Sequence, residues 1–365
     1  MFIYNLLLYY SDLQKVIIIK KSSNEMEKIQ LPEVFNDYQK DLTRFTKMFY
    51  KHLNDDLYFT HRYFLGWIDE HGGITKVSGK SFRPSLMMLI NESLGGKNED
   101  ILPIAMAIEL FHNFSLIHDD IEDKDEYRRN RKTVWKIWGE PKGIISGSSM
   151  HALASKSIDL LKPLSEKKIA QIRSIVSKTC MQVIEGQFLD LSFESTLNIN
   201  IENYLEMINK KTGALIETSA KLGAFFNYFS DEKSEQFSKL GKQFGHMFQI
   251  KDDILGIWGN NEFGKPIGSD ILKKKKSLPI LHLLNESTGN DNRMINDIFL
   301  NEENLERFLK DIIGLMSKYK TEKYCNKILN ENFENSEKII TDLKIKNLNK
   351  ENLKEINKFL VYRKK

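Results

Sequence analysis

Apolar residues recur at helical spacing along most of the chain. Phe45, Met48, Phe49 and Leu53 share one face of a helix, and Tyr58, Tyr63, Phe64 and Trp67 continue an aromatic-rich face. Residues 101–121 form a long, mostly apolar segment that ends in acid, and its apolarity on all sides predicts a buried helix rather than a surface one. Segments 169–191, 204–226 and 237–257 follow the same pattern. Turn signals separate these runs: Gly72-Gly73, Gly95-Gly96, Glu140-Pro141 and Gly264-Lys265-Pro266. The segment 301–365 is rich in Asn, Lys and Glu, with an amphipathic stretch at 305–316, and reads as helical and peripheral. Few stretches alternate with period two, and no repeat of fixed period appears. The pattern predicts an all-α fold.

The 365 residues suggest two domains by length, but a large helical bundle uses that length as one. We expect an N-terminal extension over residues 1–30, poorly ordered, and a single helical domain over 31–365. Within 1–19 two apolar runs are broken by Ser11, Asp12, Gln14 and Lys15, too short to span a membrane and without the basic start and cleavage site of a signal peptide. A natural start near Met26 accords with this reading. No stable membrane span is expected.

Apolar residues make up 41% and charged residues 28%, so a sizeable core and a solvated surface are both available. A net charge of +4 is too small to argue for nucleic-acid binding. Cys180 and Cys325 lie far apart and offer neither a metal-ligand spacing nor a disulfide framework, which suits a reducing compartment such as the cytoplasm.

The chemistry concentrates in two acidic clusters. Residues 115–123 read S-L-I-H-D-D-I-E-D, placing Asp119, Asp120 and Asp123 at the end of the apolar helix. Asp119 and Asp123, four apart, project from one face. Carboxylates beside apolar helix must be paired, protonated or bound to metal. Taken alone, this stretch reads equally well as a solvated helix end. The second cluster, F-Q-I-K-D-D-I-L-G-I-W-G at 248–259, puts Asp252 and Asp253 on another apolar helix, with Gln249 nearby. Two apolar helices each presenting an Asp pair are hard to explain by solvation, whereas inward carboxylates from different helices build metal sites. Magnesium, which keeps waters and bridges to substrate phosphates, fits such a pair.

Cations suited to an anionic substrate accompany them. Lys80 and Arg83 lie in S-G-K-S-F-R-P before a helix, Arg128 and Arg129 follow the first cluster, and Lys211 and Thr212 lie in K-K-T-G. Lys265 and the run 273–276 follow the second cluster; most of that run reads as a solvated loop. His112, two turns before Asp119, reads either as a satisfied core histidine or as a phosphate donor.

In order, G-K-S-F-R-P, E-L-F-H, S-L-I-H-D-D-I-E-D, R-R-N-R-K-T, E-G-Q-F-L-D, K-T-G-A-L, F-Q-I-K-D-D-I-L-G and G-S-D-I-L-K-K-K-K-S-L-P run over 79–279. Together they resemble the trans-prenyltransferase (polyprenyl synthetase) family. That resemblance implies a large helical bundle of the isoprenoid synthase type with a central substrate cavity, assembled as a homodimer. It implies Mg2+, three ions per site with Mn2+ as a possible substitute, held by Asp119 and Asp123 on one side and Asp252 on the other. Asp120 joins the catalytic set. Lys80, Arg83, His112 and Arg129 would hold the diphosphate of isopentenyl diphosphate. Arg128, Lys211, Lys265 and Lys275 would hold the allylic diphosphate, with Thr212 and Gln249 beside the reacting carbon.

Three positions depart from the family pattern. Gly256 stands where a third Asp often follows, Asn130 follows Arg128-Arg129 where Gly is usual, and Gly147-Ser148 replaces a Gly-Asp pair. Small Ser115 and aromatic Phe114, the latter about 7.5 Å before Asp119 along a helix, resemble synthases of the C20 product geranylgeranyl diphosphate, with the C15 farnesyl product next. The D-D-I-E-D motif lacks the two-residue insertion of bacterial-type farnesyl enzymes. A terpene cyclase would want a hydroxyl residue and Glu four and eight positions after its second-site Asp; Gly256 and Asn260, or Ile257 and Asn261, stand there. A noncatalytic partner subunit would be expected to lack the acidic clusters.

Overall fold

A computed structural model describes residues 30–364, apart from 76, 78, 162–163, 195, 197–198, 260–266 and 302–303. The extension expected over 1–30 and the turn at Gly264-Lys265-Pro266, with Lys265 itself, therefore fall almost entirely outside the described residues. Sixteen α-helices are numbered here among the described residues. The first half comprises α1 (Val34–Tyr50), α2 (Asp56–Phe64), α3 (Phe82–Ser93), α4 (Asn98–Glu122), α5 (Val134–Trp138), α6 (Glu140–Ser157), α7 (Glu166–Glu194) and α8 (Ile201–Ile208). The second half comprises α9 (Ala214–Tyr228), α10 (Asp231–Trp258), α11 (Ser269–Leu272), α12 (Leu278–Glu286), α13 (Gly289–Asn301), α14 (Leu309–Lys318), α15 (Thr321–Asp342) and α16 (Asn347–Tyr362).

Helix α4 is the axis of the bundle. It is long and apolar enough to cross a membrane, yet 72% of its apolar window is buried, because α3, α6 and α7 pack around it. Ile101, Ile104, Ala105, Met106 and Ile108 are fully buried, as the all-round apolarity requires. Helix α9 packs between α3 and α10, and α10 in turn carries α15 and α16 on its outer side. A second apolar cluster, including Ile271, Ile280, Leu283, Ile295 and Ile312, joins α11 to α14 at the far end of α10. Side-chain caps mark two helix starts: Asn200 accepts from the Asn203 N–H at 2.7 Å before α8, and Ser230 accepts from Lys233 before α10.

Three expectations need correction. The segment 301–365 is helical but not peripheral: Cys325, Ile340, Leu353, Ile356 and Leu360 are fully buried, because α15 and α16 use their apolar stripes to cover α10. The run 169–191 is not buried all round; Met181, Ile184 and Phe188 leave one face of α7 exposed. Segment 204–226 is not one regular helix but α8 and α9 joined by a π turn over Asn209–Gly213. The helix-only pattern also passed over a hairpin, in which Tyr127 pairs with Lys132 and Arg128 with Arg131.

Gly223 sets how closely α9 approaches α3. A Cβ there would lie 2.5 Å from the Met87 carbonyl oxygen and 3.0 Å from the Ile90 Cβ, so backbone would have to move. Gly223→Val should lower unfolding free energy by about 1–3 kcal/mol through overpacking, measured by urea denaturation.

Candidate active site

The first acidic cluster ends α4, where Asp119 and Asp120 are drawn out of water by the bundle. Asp120, 1% exposed, accepts from Arg128 Nε at 2.6 Å, and Asp119 accepts from Arg128 Nη2 at 3.2 Å. Lys211 Nζ lies 3.2 Å from the other oxygen of Asp119 and 2.5 Å from Asp190. Burial pushes the Asp119 carboxyl up, but Lys211, Arg128 and Lys275 together hold it below the ordinary value. Burial wins at Asp120, pushed up to about 7 against the pull of Arg128. Asp123 pairs with Lys275 Nζ at 3.2 Å. Burial lowers the Lys275 ammonium while Asp123, Asp190 and Asp119 raise it, with a net upward shift.

Arg128 reaches these carboxylates from the hairpin. Its two central residues, Arg129 and Asn130, have φ of 52° and 59°, the left-handed pair of a type I′ turn. Asn is among the few residues that accept this region readily, so the departure at Asn130 keeps the turn the motif needs.

The second cluster lies on α10. Asp252 shares a cavity of about 560 Å³ with Asp119, Arg83, Arg128, Arg129, Lys211, Gln249 and Lys275. Asp253 turns inward, accepting from Tyr204 Oη at 2.5 Å, the Leu278 N–H at 2.9 Å and Gln249 Nε2 at 2.8 Å. It ties α8, α10 and α12 together, and burial, with the nearby Asp270, raises its carboxyl. Thr212 donates to Gln249 Oε1 at 2.7 Å, which places both residues on this cavity. At Gly256 a Cβ would run into the Asp270 carboxylate. The place left by the absent third Asp is thus filled through space by α11, and Asp270 lines the same cavity.

An adjoining apolar cavity of about 520 Å³ shares Asp119, Lys211 and Thr212 and extends past Ser115 and Leu116 to Phe114, His118, His151, Val183 and Leu191. Phe114 is buried and meets the rings of His151, His118 and Phe111 at 5.0, 5.8 and 6.1 Å. Gly147 lets the His118 ring lie against α6, and Ser148 lines the cavity beside it.

Lys211 and Thr212 sit on the π turn, a helical distortion frequent at functional sites. It is clamped by glycines: a Cβ at Gly186 would collide with the Lys211 backbone, and one at Gly245 would lie 2.7 Å from the Gly213 Cα. The Gly of E-G-Q therefore exists to let α7 touch this turn.

Of the positions singled out from sequence, Arg83, His112, Arg128, Arg129, Lys211, Thr212, Gln249, Asp252 and Lys275 line the polar cavity with Asp119. Arg83 Nη1 donates to His112 Nε2 at 3.1 Å; burial, then Arg83, Arg129 and Arg128, keep that imidazole neutral. Lys80 does not line the cavity; it is exposed, 5.2 Å over the Phe359 ring. Asp190, Asp270, Lys276 and Lys364 also line it and were not singled out. Asp190 carried a signal, as the last residue of E-G-Q-F-L-D, whereas Lys364 carried none.

Among the described residues no three His, Cys, Asp or Glu side chains gather closely enough to hold a metal alone. Asp120 Oδ2 is nevertheless buried without a hydrogen bond, and Asp119 Oδ1 has the Lys211 ammonium at 3.2 Å. Hard oxygen donors on facing walls of one cavity fit a cation that takes its remaining ligands from water and a bound anion.

The polyprenyl synthetase family model matches residues 71–316. The chain belongs to the polyprenyl synthetase family. This prenyltransferase chain is 37% identical over 239 residues to a short chain isoprenyl diphosphate synthase of Methanocaldococcus jannaschii, covering 65% of this chain and 72% of that one. It is also 37% identical to a (2E,6E)-farnesyl diphosphate synthase of Mycobacterium tuberculosis, over 60% of each chain. The structure of a geranylgeranyl pyrophosphate synthetase from Pyrococcus horikoshii matches with a TM-score of 0.80 at 31% identity, over 91% of this chain and 98% of that one. The expected all-helical isoprenoid synthase fold is therefore present, and both acidic motifs of this prenyltransferase contribute to one cavity.

Gly186→Ala should push the π turn and misplace Lys211. Turnover should fall about tenfold or more, as for a displacement of the order of 1 Å in a reacting assembly, while circular dichroism keeps the helical signal.

Proposed function

We propose that this prenyltransferase condenses isopentenyl diphosphate with an allylic diphosphate and releases geranylgeranyl diphosphate as its main product. The observation that carries this reading is the pair of acidic helices, with Asp119 and Asp252 on one cavity that continues into an apolar pocket.

Asp119, Asp123 and Asp252 are the residues we assign to Mg2+, with three ions per site. Bound there, the metal supplies charge stabilisation for the departing pyrophosphate. Arg128, Lys211 and Lys275 already face these carboxylates at hydrogen-bonding or ion-pair distance. When the carboxylates turn to metal, the same cations are in place to grip the allylic diphosphate and favour breaking of its carbon–oxygen bond. Lys265 is assigned to the same diphosphate from its motif alone. Asp120 is assigned to fixing Arg128, from whose Nε it accepts at 2.6 Å.

Arg83 and Arg129, with His112 as the partner of Arg83, line the cavity and are assigned to the isopentenyl diphosphate, and Lys80 is assigned to it from its motif alone. Thr212 and Gln249, hydrogen-bonded to each other, line the same cavity, and we assign their oxygens to the allylic cation. Attack by the isopentenyl double bond joins the chains, and the released pyrophosphate takes the proton. The apolar wall from Leu116 to Leu191 excludes the water that would quench the cation.

Product length follows from the floor of the apolar pocket. Ser115 leaves room near the acidic motif, and Phe114, wedged among three rings, closes the pocket further down. A homodimer is supported by the exposed apolar side chains Ile144 and Ile145 on α6 and Met181, Ile184 and Phe188 on α7. A cytosolic location accords with two buried free thiols, Cys180 and Cys325.

The test is an assay of the purified chain with Mg2+, isopentenyl diphosphate and each allylic primer in turn, with products sized. A C20 diphosphate is expected; a cyclised hydrocarbon from one allylic substrate, or no turnover, would overturn the reading. Asp119→Asn and Asp252→Asn should each lower kcat about a hundredfold or more. Phe114→Ala should shift the distribution beyond C20, and an unchanged distribution would remove Phe114 as the floor.

A further inference from the structure

The second acidic helix has a partner that no acidic or basic motif announced. Arg363, just past the end of α16, donates from Nη2 to Asp252 Oδ1 at 2.7 Å and to the Phe248 carbonyl at 2.8 Å. Its guanidinium lies 4.2 Å over the Phe248 ring. The side chain is 7% exposed, whereas that of Asp252 is 43% exposed and reachable from the cavity. The Arg363 Nε is buried and has no hydrogen-bond partner. A buried guanidinium with an unspent donor is not at its best-satisfied position, since leaving such a group unpaired is costly.

We propose that Arg363 is a tethered substitute for the metal ion. It neutralises Asp252 while no cation is bound, and it must leave that carboxylate when a divalent ion takes it. Asp252 Oδ1, directed at the guanidinium, cannot also coordinate a metal along the same lone-pair direction, and a metal on the other oxygen would still set two cations beside one aspartate, which repel. The exchange is therefore competitive. It also reaches across the site, because the end of α16 touches both halves. Phe359 supports Lys80, and the Phe248 ring beneath Arg363 also lies 5.7 Å from the Arg83 guanidinium. Movement of Arg363 off Asp252 thus disturbs the surface on which two cations of the other diphosphate site rest. Metal occupancy at α10 is coupled to the position of the last turn of α16.

This inference rests on the assignment of Asp252 to metal, and the experiment separates the two. Mn2+ binding to the full chain is titrated by electron paramagnetic resonance with inorganic pyrophosphate present, for the parent, Arg363→Gln, Arg363→Lys and Asp252→Asn. Removing the competitor should tighten Mn2+ binding in Arg363→Gln by about three- to tenfold, the scale set by one modest ion pair. Metal-free thermal melting of that variant should fall while its gain on adding Mn2+ and pyrophosphate grows. A purely structural arginine would lower melting equally with and without metal, and unchanged or weaker Mn2+ binding would overturn the competition. If Arg363→Gln does not fold, Arg363→Lys carries the same test: it keeps the charge but loses the planar grip and stacking, so a smaller tightening upholds the proposal and none sinks it. If Asp252→Asn binds Mn2+ as the parent does, the metal assignment itself fails.

Discussion

An aspartate removed from water must find a positive charge, and that requirement organises the centre of this molecule. Four carboxylates of the polar cavity and its edge, Asp119, Asp123, Asp190 and Asp252, each lie within ion-pair distance of a lysine or arginine fixed to another element. The cations arrive from the hairpin, the π turn, the lysine run before α12 and the end of α16. Because each pair links elements distant in sequence, the charge balance also holds the helix ends in register. A bound diphosphate and its metal ions form a set of the opposite arrangement, anion to cation and cation to anion. Loading a diphosphate with such ions would then be an exchange of partners among charges that are already paired, which avoids the cost of uncovering bare charge in a half-buried site.

The bundle's remaining design serves that exchange. Helix α4 delivers its carboxylates at the end of a mostly apolar, buried stem, so their position is fixed largely by packing. Asp253 contributes in another way, binding three elements through Tyr204, Leu278 and Gln249 while its neighbour Asp252 faces the cavity. Two adjacent aspartates in each motif thus have different work. One faces outward to ligands and the other inward to the scaffold, as Asp120 does with Arg128.

What could be read from the residues follows from how local each feature is. The acidic motifs were legible because charge at the end of an apolar run is a conflict visible within ten residues. The order of the eight motifs pointed to the fold as a whole. Gly256 read only as a departure from the pattern because the Asp270 carboxylate that takes up its space approaches from another helix, and no spacing rule connects them. Arg363 was invisible for the same reason, lying 111 residues from its partner in a segment whose composition suggested a surface tail. The π turn was missed because the apolar period on either side is that of an ordinary helix; only the hydrogen-bond register reveals it. Lys80 shows the converse, a residue with the right motif that rests on the Phe359 ring and does not line the cavity.

That turn at Asn209–Gly213 has a consequence for how the enzyme's sequence is to be aligned and altered. A π turn accommodates one residue more than an α-helix over the same span, and each residue rotates the following side chains by about 100°. Deleting a single position there would conserve every side chain type nearby and still aim Lys211 and Thr212 at different neighbours. At this place the geometry of the candidate site is written in the number of residues as much as in their identity, and a gap of one in a comparison of related chains is a change of structure rather than a neutral slip.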